Sequence, residues 1–441
     1  MQFNTHSSLP VNLVHRLWDR RNIPFYSNSV FLISHSGATA GIAFLFWVVA
    51  TRSFSPEEVG ISSALISAAA LLSFFARFGM GDGIVRYLGS RKDDPSRLIN
   101  SVFLATGAAA ILVSVVFLVG LPVWSQPLRL VLGQPLIMAV FIISVIGLAG
   151  AGLIERVFVA RRRGNYVLFF GVLLGLARLG ALAGVLLVAR QAGIITAWGL
   201  PAIVAAGIAI FVVLPQSIRG YRPKLRFHPG EMQDIGRFSL STFVSSAWWQ
   251  ITISVLPLLI LNMLGSAQSA FFFASWTIGS RLFTIPRSIS TSLFAEGSYN
   301  ENELVLTIRR GLRLSAVLLI PAVAFIIVLA KPLLLILGSA YMEQGHTLLW
   351  VVAISAPPFA VNSIYLGVVR VEKKQRALIA VPAAICILTL TISYLLLPRF
   401  GVLGAGIGFL VAQTAVSAVL LPSLLSRTKR PASQDSAVLV S

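Results

Sequence analysis

Arg178, in the stretch VLLGLARLGALAG, lies about 12 residues inside a long apolar run, so at 1.5 Å per helical residue its guanidinium is about 18 Å from the nearest polar end. The side chain does not easily reach water over that distance, and a permanent charge at such depth normally faces a bundle interior or an aqueous cavity. Two chemistries suit it. One is binding an anion such as phosphate, whose oxygens match the planar fork; the other is pairing with helix carbonyls or a polar neighbour. Arg281, in SWTIGSRLFTIPRSIS, lies about 13 residues into another apolar run, with Arg287 about one and a half turns further on. Each either lines the same kind of cavity or extends toward the polar boundary.

Other side chains could join such a cavity. Arg77 and Arg86 flank FGMGDG, where three glycines loosen the chain, and Asp82 between them is expected to form a salt bridge with one of the two. His35, in SHSGATAG, sits about two turns into the first run and is either a titrating group or a buried histidine held by a hydrogen bond. Trp248, Trp249 and Gln250 in one run and Trp276 in the next suit either a sugar ring or plain packing. Asn362 and Gln413 are candidates for an interhelical hydrogen bond. The pair Pro357 and Pro358, in SAPPFAVN, marks a hinge or a fixed bend.

The 15 acidic residues are informative by position: none lies at the centre of an apolar run, and Asp82, Glu155 and Glu296 fall at run ends. Ion-coupled carriers commonly rely on carboxylates within the membrane, and the sequence offers no obvious one. No enzyme motif survives inspection either: there is no paired-carboxylate site, His/Cys metal spacing, nucleophile elbow or phosphate-binding loop. The lone cysteine, Cys386, forbids an intramolecular disulfide and a site built on paired cysteines. No catalytic residue, metal or cofactor is therefore assigned.

Positioning these residues takes about twelve helices. A hydrocarbon core about 30 Å thick needs about 20 apolar residues per crossing. Candidate runs lie near 28–51, 59–79, 99–123, 135–155, 166–189, 195–217, 238–262, 268–294, 311–330, 345–368, 377–397 and 403–425. The reading is an all-α polytopic membrane protein: an N-terminal segment 1–27, a six-helix lobe 28–217, a linker 218–237, a second six-helix lobe 238–425 and a tail 426–441. The first apolar run is too long for a signal-peptide core and is expected to stay in the mature protein.

Of 35 Lys and Arg residues, all but seven fall on one set of inter-run pieces or the adjoining helix ends. Arg52, Arg129, Arg190, Lys331 and Arg399 fall on the other set, and Arg178 and Arg281 lie within runs. Positive residues stay on the cytoplasmic side, which predicts a bacterial-type inner membrane location with both termini cytoplasmic. This bias accounts for the net charge of +20 without nucleic acid as a partner; anionic lipid headgroups are the natural secondary partner. Similar landmarks recur at an offset of about 210 residues. VFVARRRGNY aligns with GVVRVEKKQRA, and RQAGIITAWG with PRFGVLGAGIG. An even number of crossings per half makes these parallel repeats, a transporter signature with the substrate near the midplane.

The motifs VVATRSFSPEEVGISSAL, FFARFGMGDGIVRYLGS, LGSAQSAFFFASWTIGSRLFTIPRSISTSLF, KPLLLILGSAYMEQG and LPRFGVLGAGIGFLVAQ, in that order with twelve runs, resemble polysaccharide flippases of the Wzx type. These belong to the multidrug/oligosaccharidyl-lipid/polysaccharide (MOP) exporter superfamily. The resemblance implies two six-helix lobes forming a V, alternating between inward- and outward-open states. It implies as cargo an oligosaccharide on undecaprenyl pyrophosphate, moved to the outer leaflet for surface polysaccharide, with polymerase machinery as a downstream partner. Related members commonly carry an acidic residue in the middle of the seventh helix, where this chain reads WWQITISVLPLLILN without one.

A pyrophosphate headgroup needs basic partners, which Arg178 and Arg281 supply in this reading, and anion export from a negative interior is favoured by about 2.3 kcal/mol per charge per 100 mV. Two alternatives stand beside it. A drug/cation antiporter of the same superfamily lacks its intramembrane carboxylate, and a membrane-embedded glycan polymerase or ligase lacks acidic residues and long outer loops.

Overall fold

The computed structural model describes residues 23–90, 95–188, 193–299 and 304–429. Arg16, Arg20 and Arg21, the loop residues Arg91 and Lys92, Arg190, Glu301, Glu303 and the tail from Arg430 lie outside the described residues. All regular structure among the described residues is helical, with no strand. Helices α1 (Ile23–Ser53), α2 (Pro56–Arg77), α3 (Met80–Ser90), α4 (Pro95–Trp124), α5 (Pro135–Ala160) and α6 (Gly164–Val188) come first. Next, α7 (Gly193–Ile208) runs through a π turn at Ala209–Val213 into α8 (Leu214–Ser217). After an irregular strap come α9 (Pro229–Leu264), α10 (Ser266–Gly279), α11 (Thr284–Tyr299), α12 (Leu304–Leu337), α13 (Ser339–Ile354), α14 (Ala356–Val371), α15 (Gln375–Phe400) and α16 (Val402–Lys429).

Among the described residues, 11 helical stretches are long and apolar enough to cross a membrane. The expected twelfth, 268–294, is broken: α10 and α11 are separated by a single 3-10 turn, Ser280–Phe283. Pro286 lacks the N–H that would bond the Leu282 carbonyl, and its ring crowds that carbonyl, so the regular helix stops one turn upstream. The expected run 345–368 is likewise divided at Ser355, and Pro357 and Pro358 occupy the first turn of α14, where a missing N–H costs nothing. The piece 80–90, expected as loop, is the short helix α3.

Sequence chemistry sets the ends. Ser55 and Glu58 form a capping box at the start of α2: the Glu58 N–H donates to the Ser55 hydroxyl at 3.3 Å, and the Ser55 N–H to the Glu58 carboxylate at 2.8 Å. At its far end Phe78 and Gly79 take left-handed φ values of 41° and 73°, which turns the chain into α3. Two-thirds (67%) of the apolar window of α2 is buried against 17% for α12, so α2 is a central helix and α12 a peripheral one. Its small residues make this possible. Ser63 and Ser67 donate to carbonyls of their own helix, and Gly60 lies directly against the Ser266 backbone at the start of α10.

Burial is distributed unevenly along the bundle. At the arginine-poor end one apolar core joins Phe46, Leu65 and Phe141 to Phe271, Leu334 and Tyr341, from helices before and after the strap. That end is also pinned by polar bonds. Arg52 donates to the carbonyls of Leu335 and Ile336 at 2.7 and 2.9 Å, and Asn262 accepts from the Ser125 hydroxyl at 2.7 Å. Toward the arginine-rich end the buried clusters separate, one around Ile84, Leu153 and Phe158, another around Leu293, Ile364 and Leu424. Phe243 of α9 meets Phe74, Phe75 and Phe78 there, stacked on Phe74 at 5.2 Å.

Gly60→Val places a branched side chain where a backbone carbonyl already sits. The expected cost is about 1–3 kcal/mol, read as a lower melting midpoint of the detergent-solubilised protein. Gly180→Ala, whose added methyl meets open space, should leave the midpoint unchanged or raise it.

Candidate functional site

Two polar cavities lie inside the bundle, one on each side of the strap in sequence. The larger, about 360 Å³, is bounded by α9, α11, α14, α15 and α16. Each wall is one helical stripe. Ser245, Ser246, Trp249 and Thr252 follow one face of α9, Arg287, Ser290 and Thr291 one face of α11, and Phe359, Asn362, Ser363, Leu366 and Arg370 one face of α14. The break before Thr284 and the proline start of α14 set the helix directions that turn these stripes toward one another.

Within this cavity the Arg287 guanidinium lies 4.0 Å from the centre of the Trp249 ring and 5.8 Å from that of Phe359. Trp249 is held by Phe283, Phe359 and Phe409, so the platform is rigid. Arg370 enters the same space, and among the described residues no carboxylate lines it. Glu372, just past the end of α14, pairs with Lys374 at 3.0 Å and Arg427 at 3.1 Å, and the acid whose charge reaches Arg370 is Asp82. Asn362 donates to the Gln413 side-chain oxygen at 2.8 Å, the interhelical bond expected from sequence. Asn362 Oδ1 and Gln413 Nε2 are buried without a partner among the described residues. The arrangement suits a multiply charged anion carrying hydroxyl groups.

The smaller cavity, about 160 Å³, is lined by His35, Thr39, Phe46, Glu155, Arg178 and Trp198, with Gly171 and Gly175. Those two glycines, one turn apart on α6, let α1 approach so closely that the His35 ring covers one and Ile42 the other. Arg178 Nε donates to the Trp198 carbonyl at 3.0 Å, and its guanidinium lies 4.1 Å from that ring's centre. Of the two chemistries open to Arg178, pairing within the protein is the one seen.

The structure revises several expectations. Glu155, assigned to a helix end, lines the cavity beside His35 and Arg178 and faces the charges of Arg77, Arg156 and Arg178. It lies about one and a half turns from the end of α5, and inward-reaching side chains close the remaining distance. Asp82 pairs with Arg156 of α5 at 3.1 Å rather than with Arg77 or Arg86, because the left-handed turn rotates α3 toward α5. Arg77 instead donates to the Ser73 carbonyl at 3.2 Å and lies over Gly152. Arg86 is exposed, 5.8 Å from the ring centre of Tyr87.

His35 Nδ1 is buried without a hydrogen-bond partner among the described residues, because the Gly171 face against it offers no acceptor. Arg281 falls in the 3-10 turn, is exposed and lines neither cavity. Trp276 packs among Phe272, Phe283 and Phe409, and Gln250 donates to Ser254 of its own helix. Trp248 lines neither cavity, and its Nε1 is buried without a partner. Reasoning from sequence missed Arg370, Trp198 and the hydroxyl stripes. The signal for the stripes was there: Ser, Thr and Asn recur at helical spacing within otherwise apolar runs.

Comparison with known proteins gives a match to the model of a family described as polysaccharide biosynthesis protein, over residues 49–345. No curated protein matches the chain. Among solved structures, the fold is similar to an inward-facing multidrug resistance MATE transporter of the MOP superfamily (TM-score 0.72, 14% identity, covering 90% of this chain and 98% of that one). It is also similar to the lipid II flippase MurJ in an inward closed conformation (TM-score 0.72, 12% identity, 90% of each chain). A third match is a MOP superfamily transporter from Pyrococcus furiosus, described as having a binding pocket of reverse polarity that suggests a different function (TM-score 0.62, 13% identity, 92% of this chain and 95% of that one).

Asn362→Leu strands the Gln413 oxygen that now accepts its bond. It should cost about 1–3 kcal/mol, whereas the double variant Asn362→Leu/Gln413→Leu should lose less than the sum of the two single changes. Melting midpoints of the four proteins close that cycle.

Proposed function

The chain belongs to the polysaccharide biosynthesis protein family, and from that membership and the larger cavity we propose that it flips a lipid-linked oligosaccharide with a pyrophosphate headgroup across the inner membrane. The observation that carries this reading is the pairing of Arg287, fixed over Trp249, with Arg370 in a hydroxyl-lined cavity that no carboxylate enters among the described residues. Guanidinium forks match phosphate oxygens, and a cation held by an aromatic platform, with no salt bridge among the described residues, is poised to bind an anion. The hydroxyls of Ser245, Ser290 and Thr291 donate to the carbonyls of Leu378, Ser363 and Arg287, which leaves their oxygens as acceptors for the hydroxyls of a first sugar. A volume of about 360 Å³ is at the low end for ligand pockets, so the cavity takes the headgroup and leaves the remaining glycan to the space between the lobes.

Residues 28–217 and 238–425 act in this reading as two lobes that rock about their shared core. Both cavities lie toward the arginine-rich end, which the charge bias assigns to the cytoplasm, where the cargo is made. The protein is thus a transporter rather than an enzyme, with polysaccharide polymerase machinery acting on the delivered product. Undecaprenyl pyrophosphate fits as the carrier by the resemblance noted above.

Glu155 supplies the carboxylate that a drug/cation antiporter requires, which gives that reading one observation in its favour. The charge count weighs against it, since Arg77, Arg156 and Arg178 outnumber Glu155 and Asp82, the latter already paired with Arg156. An organic cation entering there meets a net positive field.

Arg287→Glu should lower surface polysaccharide by more than about tenfold at unchanged protein level, because it turns an anion site into a repulsive one. Arg281→Glu, outside both cavities, should leave export near the unaltered level. Normal polysaccharide in the Arg287→Glu strain removes the headgroup role, and raised resistance to cationic dyes on expression would favour the antiporter.

A further inference from the structure

The largest of the described cavities is neither of the two polar ones. A groove of about 770 Å³ runs between α4 and α7, floored by Ile146 and Gly150 of α5 and closed at one end by the strap at 221–225. It shares no lining residue with either polar cavity, and no Asp or Glu is among the residues that line it. Glycine makes the room: a Cβ added at Gly107 or Gly207 would meet nothing within 4 Å. The flanking surface is apolar and outward-facing, with Leu112 65%, Val204 59% and Phe211 69% exposed, so the groove opens onto the lipid side of the bundle. The π turn Ala209–Val213 carries Ile210 and Phe211 into its wall. Such turns are concentrated at functional sites.

The closed end has a different chemistry. The strap reads Arg222-Pro223-Lys224-Leu225-Arg226-Phe227, with basic and apolar side chains alternating, and Leu225 and Phe227 are 91% and 52% exposed. Ser96 and Asn100 of α4 hold its backbone: Asn100 donates to the Arg222 carbonyl at 2.9 Å, and the Arg222 N–H donates to the Ser96 hydroxyl at 2.9 Å. Two buried hydroxyls in the groove wall, Thr106 Oγ1 and Tyr221 OH, have no partner among the described residues. Burial pushes the Tyr221 phenol up to about 12, so it is a neutral donor throughout the working range. An apolar trough on the lipid side, hydroxyl donors near one end and Lys224 at the rim match one class of ligand, an amphiphile with long chains and an anionic head.

We propose that this groove is a binding site for a resident anionic phospholipid, its acyl chain between α4 and α7 and its phosphate at Lys224. Bulk phospholipid rather than the cargo's polyprenyl tail is assigned because the groove opens to the surrounding bilayer and is separate from the cavity that takes the headgroup. Since the strap joins the two halves of the chain, an occupied groove also fastens the strap to the first half. The inference stands apart from the identity of the cargo.

The test is native mass spectrometry of the full-length protein in mild detergent with added phosphatidylglycerol and phosphatidylethanolamine of identical chains. One phosphatidylglycerol per chain should be retained in preference to phosphatidylethanolamine. Lys224→Glu, on the exposed strap, should lower that preference by about fivefold, the equivalent of one basic residue at an anionic surface. Gly207→Leu, which fills the groove without changing charge, should abolish retention of either lipid at unchanged elution volume, and Arg287→Glu should leave retention intact. Equal retention of the two lipids, or an unchanged preference in Lys224→Glu, overturns the site. Displacement of phosphatidylglycerol by undecaprenyl phosphate at equal concentration reassigns the groove to the cargo's tail and overturns the phospholipid. Should Gly207→Leu fail to fold, the Lys224→Glu comparison decides alone.

Discussion

A guanidinium that enters an apolar bundle must be given partners by the protein, because neither lipid nor bulk water is there to supply them. Much of the interior architecture follows from that requirement. Arg178 and Arg287 meet it alike, each lying about 4 Å from the centre of a tryptophan ring, Trp198 in one case and Trp249 in the other. Arg77 meets it through the Ser73 carbonyl and a glycine that lets it lie flat on α5. The difference between the two tryptophan-bound arginines decides their uses. Arg178 also bonds a backbone carbonyl and shares its cavity with Glu155, so its charge is partly spoken for; Arg287 shares its cavity with another arginine and, among the described residues, no acid.

Two of the helices that wall the larger cavity are irregular ones. Arg287 follows the 3-10 interruption forced by Pro286, and Phe359, Asn362 and Arg370 follow the restart at Ala356. A continuous helix over 266–299 would point its polar stripe elsewhere, so the proline that weakens the crossing also aims it. Around these broken segments the regular helices do the packing. α2, rich in small residues, sits at the centre and lets the α10 backbone touch it at Gly60.

Charge bias and apolar length made the topology legible from the sequence, since both are summed over many residues and survive local irregularity. The seventh and twelfth runs, for example, each appear as one long helix. What stayed hidden depended on rotation about helix axes and on breaks. Arg370 reads as a loop residue until α14 is seen to run on to Val371, and Glu155 reads as a helix-end acid until side-chain direction carries it inward. Arg281 and Arg287 look equivalent in sequence, yet a single 3-10 turn leaves one exposed outside both cavities and puts the other over a ring. The Asn362–Gln413 bond was anticipated because amides in apolar runs have few partners to choose from.

The Arg52 contact with the carbonyls of Leu335 and Ile336 bears on how easily the arginine-poor end comes apart. Both carbonyls belong to the last turn of α12; that of Leu335 also accepts from the Gly338 N–H at 3.1 Å, and the guanidinium is already exposed. When the end separates, as the proposed rocking of the lobes requires, the guanidinium and the Ile336 carbonyl exchange protein for water at the membrane surface while Leu335 keeps its Gly338 donor, and little is lost in the exchange. The apolar core beneath has no such substitute. A clasp made of water-replaceable bonds over a core that resists wetting can fix the alignment of the two halves while contributing little to the height of the barrier between states.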